Sequence, residues 1–200
     1  TSEIVMCRGA TGMVMMLAMA RLRGLPLRTD FPWHHAWRGF VGVTALWLWF
    51  FSFPRLPLAT AMTLNYMAPI WIAGIVFTLG WWHKQRRFEW GLAAAILTSF
   101  AGVALLLKPT IHADQWVGGL VALTSGVVSA FAYLQVRKLG QLGEPEYRVV
   151  FYFSAAGALG GMLSGLIDSY LDTGHLRLLH ALSAYDALLL IAIGISATIA

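Results

Sequence analysis

The stretch PLATAMTLNYMAPIWIAGIVFTLG, residues 57–80, decides the fold, because it is long enough to cross a bilayer and has a polar interruption partway along. Its 24 residues include no Asp, Glu, Lys, Arg or His. At about 1.5 Å per residue, a helix of this length slightly exceeds the roughly 30 Å hydrocarbon layer. We therefore expect a membrane-spanning helix.

Asn65, Tyr66 and Pro69 form the polar interruption. Because proline has no N–H, the carbonyl of Asn65, four residues earlier, loses its helical donor near the middle of the membrane. An unsatisfied carbonyl is costly in lipid, so at this depth it must face protein or a wet cavity. Two interpretations stay open. Either the helix lines a substrate path with these three residues at the cavity, or a neighbouring helix satisfies the kink and no ligand is involved.

Composition indicates an integral membrane protein. Hydrophobic residues make up 58% of the chain and charged residues 12%, and the mean hydropathy is +0.69. The formal net charge is +5, but the basic residues lie between apolar runs, so nucleic-acid binding is not expected. The single cysteine, Cys7, excludes an intrachain disulfide, and the pairs His34/His35 and His175/His180 lack the i, i+4 spacing of two metal ligands on one helix. We expect neither a metal nor a cofactor.

Windows of about 17 to 25 apolar residues predict seven membrane spans and therefore an all-α, polytopic transmembrane helix bundle. The predicted spans are Ile4–Ala20, Gly39–Phe53, Pro57–Gly80, Trp90–Leu107, Val117–Val136, Val149–Ile167 and Ala187–Ala200. The last ends inside an apolar run, and we expect it to be truncated.

Basic residues alternate between the connections of these spans and set an orientation. The first, third and fifth connections hold ten lysines and arginines, whereas the second, fourth and sixth hold three. The positive-inside rule then predicts that the odd-numbered connections are cytoplasmic. The stretch 21–38 mixes four arginines with leucines and aromatic residues, and it is predicted either as an interfacial segment on the inner surface or as a plain loop.

Small residues at every fourth position predict close helix packing. One such row is Gly118, Ala122, Gly126 and Ala130, and another is Gly157, Gly161 and Gly165. Rows of this kind favour a multi-helix bundle and by themselves indicate nothing about transport.

Four further side chains complete the candidate site. Ser125, Ser129 and Tyr133 repeat at i, i+4 and i+8 beside the first small-residue row. They either face a cavity together with Asn65 or bond back to the carbonyl at i−4 of their own helix. Arg8 is the one charge well inside a span, and it either binds a substrate anion or extends outward to the headgroups.

Spacing indicates an internal repeat, and the motifs resemble a known family. The spans from Ile4 and Val149 start 145 residues apart, and an offset of five spans reverses orientation, as in inverted-repeat transporters. The chain resembles EamA-type permeases of the drug/metabolite transporter superfamily along essentially its whole length. The motifs are EIVMCRG at residues 3–9, LPLATA at 56–61 leading to Asn65, Tyr66 and Pro69, AGV at 101–103 before Lys108 and Pro109, and VRKLG at 136–140. One departure is that Trp81 and Trp82 follow Gly80 where the family often has a Gly-Glu pair.

The resemblance implies a ten-helix protein of two five-helix inverted repeats, of which this chain would hold the second to eighth helices. Residues 1–110 would form most of the first repeat and residues 111–200 the first part of the second. It also implies a permease or exporter of a small metabolite, amino acid or drug-like molecule, working by alternating access in the bacterial inner membrane.

We expect the lipid bilayer and a small-molecule substrate as partners, with monomer and homodimer both open. We do not expect an enzyme. The alternatives are an intramembrane enzyme, although no predicted span carries a histidine to serve its serines as a base, and a helical membrane protein without flux.

Overall fold

The computed structural model describes residues 2–82, 90–108, 115–173, 189–190 and 192–196, and within these ranges the chain is helical with no strand. The helices are α1 Ser2–Leu22, α2 Pro32–Ser52, α3 Leu58–Asn65, α4 Ala68–Trp82, α5 Trp90–Leu107, α6 Trp116–Gln141 and α7 Glu146–Thr173. The all-α fold predicted from hydropathy is confirmed.

Six of the seven predicted spans fall on these helices, and the seventh, Ala187–Ala200, lies partly outside the described residues. In the described part of the chain, four stretches are long and apolar enough to cross a membrane: Glu3–Leu22, Leu58–Thr78, Trp116–Gln141 and Glu146–Tyr170. A shorter apolar stretch, Ala93–Leu105, belongs to α5. Length and composition therefore fit a multi-pass membrane bundle.

Contacts in space group the chain into two compact units. One comprises Thr1–Val43 and Gln135–Ala200, and the other Thr44–Leu134. Helices α2 and α6 each contribute residues to both units. Each unit also takes residues from both predicted repeats, 1–110 and 111–200, so the division into repeats stays a prediction.

In the first unit, α1 and α7 pack backbone against backbone. A β-carbon added at Gly9 would lie 2.3 Å from the amide nitrogen of Ala158, and one added at Gly161 would lie 2.4 Å from that of Met6. No side chain fits such a space, so close packing requires glycine at both positions. Gly157 and Gly161 are buried and the third glycine of their row is half-buried, which confirms the packing role predicted for the row.

In the second unit, the small-residue row of α6 packs along α3 and the turn that precedes it. All four members of the row are buried, and Ala122 forms a core with Leu56 and Ala61. A β-carbon added at Gly118 would lie 2.9 Å from the β-carbon of Arg55. The packing role predicted for this row is also confirmed.

Two glycines end helices with the same turn. Gly24 after α1 has a φ of 62° and Gly143 after α6 has a φ of 82°, a region that glycine adopts without steric cost. In each turn the next residue, Leu25 or Glu144, donates its N–H to the carbonyl five residues earlier, which is the Schellman pattern. Residues 23–31, here called the α1–α2 loop, are not helical. The rest of the predicted stretch 21–38 belongs to α1 and α2, and whether the stretch lies on the inner membrane surface stays a prediction.

Candidate functional site

The predicted span 57–80 is two helices, α3 and α4, with Tyr66 and Met67 between them. Leu58–Thr78 is still long and apolar enough to cross a membrane, and its helix is interrupted where the sequence predicts the polar interruption. The physical reason is Pro69, which offers no N–H to the carbonyl of Asn65 and whose ring clashes with that carbonyl in a regular helix.

The carbonyl oxygens at the end of α3 lie against α6. A β-carbon added at Gly126 would be 2.9 Å from the Leu64 oxygen and 3.6 Å from the Asn65 oxygen. Because Gly126 has no side chain, its backbone approaches these oxygens directly, as small residues allow at membrane helix contacts. Helix α6 therefore packs over the backbone groups at the break, and both interpretations of the break stay open.

The side chain of Asn65 joins α3 to α6. Its Nδ2 donates to Ser125 Oγ at 3.0 Å, and Ser125 Oγ donates to the carbonyl of Ala122 at 2.7 Å. Ser125 is fully buried, so its hydroxyl depends on these partners. Interhelical bonds of this kind contribute about 0.6 kcal/mol on average in membrane proteins. The predicted contact between the Asn65 amide and the polar stripe of α6 is observed at Ser125. Contact of these residues with a ligand stays a prediction.

A cavity of about 420 Å³ lies between the helix break and α5. The residues that line it are Tyr66, Pro69, Ile70, Ala95, Ile96, Ser99, Phe100 and Val103. Its volume is within the roughly 300–1,000 Å³ of small-molecule sites. None of the eight lining residues is charged, and Tyr66, at 48% exposure, is one of two aromatic rings among them. The cavity therefore suits an uncharged, largely apolar group.

The other predicted site residues are not among those that line this cavity. Ser129 is half-buried and Tyr133 is 58% exposed, so burial decreases along the polar stripe from Ser125 onward. Arg8 is half-buried in α1 and belongs to the other unit. The structure thus pairs Asn65 with Ser125 and places Tyr66 and Pro69 at one cavity, and substrate contact by all seven candidates stays a prediction.

A second polar cluster lies where the α1–α2 loop meets the turn between α6 and α7. Glu144, which is only 7% exposed, is at its centre. Thr29 donates its hydroxyl to Glu144 Oε1, and Arg148 Nη1 donates to Oε2 at 3.3 Å. His35 Nε2 lies 3.7 Å from the same Oε2. Sequence analysis missed this cluster, and its one signal was the i, i+4 spacing of Glu144 and Arg148.

The surroundings lower the pKa of both Glu144 and His35, which lie outside the predicted spans. Burial alone would raise the pKa of Glu144, but hydrogen bonds from Thr29 and Arg148 and the charge of Arg148 outweigh it. For His35, burial is the main cause and outweighs the nearby carboxylate, which favours the charged ring. At neutral pH the cluster therefore holds a neutral imidazole beside a carboxylate paired with a guanidinium.

Three side chains of α7 hold the α1–α2 loop by its backbone. Tyr147 Oη and Arg148 Nε donate to the carbonyl of Pro26 at 3.0 and 2.9 Å. Tyr152 Oη donates to the carbonyl of Leu27 at 3.0 Å. The first and fifth predicted connections are thus in contact, which fits the prediction that both lie on the same side of the membrane.

Comparisons with known proteins point to transporters. Over 160 residues, 79% of this chain, the sequence is 29% identical to the pseudopaline exporter CntI of Pseudomonas aeruginosa, and the match covers 54% of that protein. Over 165 residues, 82% of this chain, it is 27% identical to an uncharacterized transporter of Helicobacter pylori, and the match covers 52% of that protein. No protein-family model and no solved structure matches the chain.

The chain spans about half the length of the curated relatives it matches. Their names and the apolar helices of the described residues point to the same class of protein. That class is membrane transporters, which the chain resembles over this part of their length.

Proposed function

We propose that the chain is part of an EamA-type permease of the drug/metabolite transporter superfamily, which moves a small metabolite, amino acid or drug-like molecule by alternating access. Relatives named as an exporter and as transporters support this assignment, as do the motifs quoted above. We also propose that the protein lies in the bacterial inner membrane, and the bacterial relatives and the apolar helices support this. In this proposal residues 1–110 and 111–200 belong to two inverted repeats.

The broken span beside a cavity is the observation that carries this proposal. Transporters commonly place substrate at discontinuous helices, because irregular backbone is tolerated inside a membrane only where protein or water covers it. Here α6 covers the carbonyls of the break, and Tyr66 and Pro69 line the cavity of about 420 Å³. We propose that an uncharged part of the substrate passes along Tyr66 and Pro69, and that the bond of Asn65 to Ser125 holds the break in place.

We further propose transport in preference to catalysis. An intramembrane enzyme needs a nucleophile with a base in reach, or a set of metal ligands at one depth. The buried hydroxyl of Ser125 bonds to an amide and a carbonyl, neither of which is a base. The residues that line the cavity include no Asp, Glu, His, Lys, Arg or Cys, and Tyr66 is the one ionisable side chain among them.

Substitution of Asn65 tests the proposal. Metabolites are first compared between cells with and without the full-length protein, and the compound that differs most is the probe for flux into vesicles that contain purified protein. We expect Asn65→Leu to abolish this flux, because the variant loses the bond that positions the break.

Thr78→Val provides a matched control, since it removes a polar group from α4, the second helix of the same predicted span. Thr78 is exposed, and its hydroxyl bonds only to carbonyls of its own helix. We expect this variant to keep normal flux. Normal flux in folded Asn65→Leu protein would contradict the proposed path.

A further inference from the structure

The cluster around Glu144 is not used by the proposed transport path, yet it holds a buried titratable pair. His35 is 3% exposed, and neither of its ring nitrogens has a hydrogen-bond partner among the described residues. Its Nε2 is 3.7 Å from Glu144 Oε2, beyond hydrogen-bond distance but close enough for a strong charge interaction. A buried imidazole with two unsatisfied nitrogens is placed to accept a proton.

Charges around His35 come from three elements. Glu144 faces it from the turn between α6 and α7, Arg148 faces it from α7, and His34 adjoins it on α2. The ring of Tyr152 lies against the imidazole, with 4.6 Å between the ring centroids and 35° between the ring planes. With His35 neutral, the carboxylate and the guanidinium balance each other. A proton on His35 would give this buried group a net positive charge.

We propose that His35, Glu144 and Arg148 form a proton-binding site, and that protonation of His35 releases the α1–α2 loop from α7. Arg148 and His35 face the same carboxylate oxygen, so a charged imidazole competes with the guanidinium for it. Arg148 also donates to the carbonyl of Pro26, and Thr29 of the loop donates to Glu144. A shift of Arg148 or of Glu144 therefore weakens the bonds that hold the loop.

Thermodynamic linkage between proton binding at His35 and opening of the α1–α2 loop gives the direction of the pH effect. Burial lowers the pKa of His35 in the closed arrangement, so a proton binds more tightly once the loop opens and the ring is hydrated. The closed arrangement is thus stable above the ordinary pKa of histidine and loses stability as the pH falls below it. Glu144 keeps its charge in this window, because its own pKa lies below the ordinary carboxyl value. Each unit by which burial lowers the His35 pKa raises the open fraction in acid by about tenfold.

Hydrogen–deuterium exchange tests this site in the full-length protein in lipid nanodiscs. Exchange of peptides that cover the α1–α2 loop is compared at about pH 7.5 and about pH 5.5, after correction for the intrinsic pH dependence of amide exchange. We expect the loop to lose protection in acid in the wild type. We expect His35→Gln, which cannot take up a proton, to show the same protection at both values.

His34→Gln is the matched control, because it removes the adjacent imidazole and leaves the contact with Glu144. It should behave as the wild type. Thr29→Val gives a second measurement that does not alter His35: it weakens the closed arrangement, so the pH at which protection is lost should rise.

Equal protection of the wild-type loop at both pH values would overturn the proposal. A loss of loop protection in acid that persists in His35→Gln would also overturn it. The same holds if Thr29→Val leaves unchanged the pH at which half of the protection is lost. The measurement requires no substrate, so it stands or fails independently of the transport assay.

Discussion

Gly126 shows how one residue controls two contacts beside the helix break. Its missing side chain lets α6 approach the carbonyl oxygens of Leu64 and Asn65. The preceding residue, Ser125, accepts the hydrogen bond from the Asn65 amide. A side chain at position 126 would therefore disturb both the contact with the carbonyls of α3 and the hydrogen bond between Asn65 and Ser125.

We expect Gly126→Ala to lower the free energy of unfolding by about 1–3 kcal/mol, because the added methyl group would require the Leu64 carbonyl to move. The measurement is denaturant unfolding in mixed micelles. Gly74→Ala is the control, since nothing lies within 4 Å of a β-carbon added there. The control should be unchanged or more stable by about 0.5–1 kcal/mol, as alanine favours a helix. Equal changes in the two variants would contradict the contact with α3.

At the scale of secondary-structure elements, backbone contacts set the distance between helices α1 and α7. Gly9 and Gly161 lie in the same contact, one on each helix, and each faces the backbone of the other helix. Neither backbone can yield by changing a rotamer, so relief at one position requires the helices to move apart. That movement would also make room at the other position.

We therefore expect Gly9→Ala and Gly161→Ala each to lower the Tm, and the double variant to lower it by less than the sum of the two. Thermal unfolding of the purified protein in detergent measures all three. Gly140→Ala in α6, where an added β-carbon meets nothing within 4 Å, should leave the Tm nearly unchanged. Fully additive losses would show that the two glycines do not share one contact.

Some elements could be predicted from the sequence because their signals are local. Apolar windows predicted the helices, spacing of small residues predicted their packing faces, and Pro69 predicted where a span breaks. The cluster around Glu144 could not be predicted in this way. Its partners Thr29 and His35 lie more than a hundred residues earlier in the chain, and the packing of α1 and α2 against α7 brings them together. The local sequence pattern does not predict contacts between residues that are so far apart in the chain.

For the whole molecule, the bonds between the α1–α2 loop and α7 constrain the membrane topology. Three side chains of α7 bind carbonyls of the loop, so these segments share one side of the bilayer. The basic residues of the first and fifth connections predict that this side is cytoplasmic.

Single cysteines introduced at Asp30 and Gln141 in a Cys7→Ser background of the full-length protein test this topology. Both positions are exposed and lie in or beside the two connections. We expect a membrane-impermeant maleimide to label neither cysteine in intact cells and to label both in inside-out vesicles. Labelling of either one in intact cells would contradict the orientation.

The α1–α2 loop is held through main-chain oxygens, and this has an evolutionary consequence. Tyr147, Arg148 and Tyr152 bind the carbonyls of Pro26 and Leu27, and every amino acid supplies the same carbonyl. Replacements at these two loop positions that keep the backbone path would preserve all three bonds. Homologous proteins are thus free to diverge in the loop, while selection acts on the hydroxyls and the guanidinium that bind it.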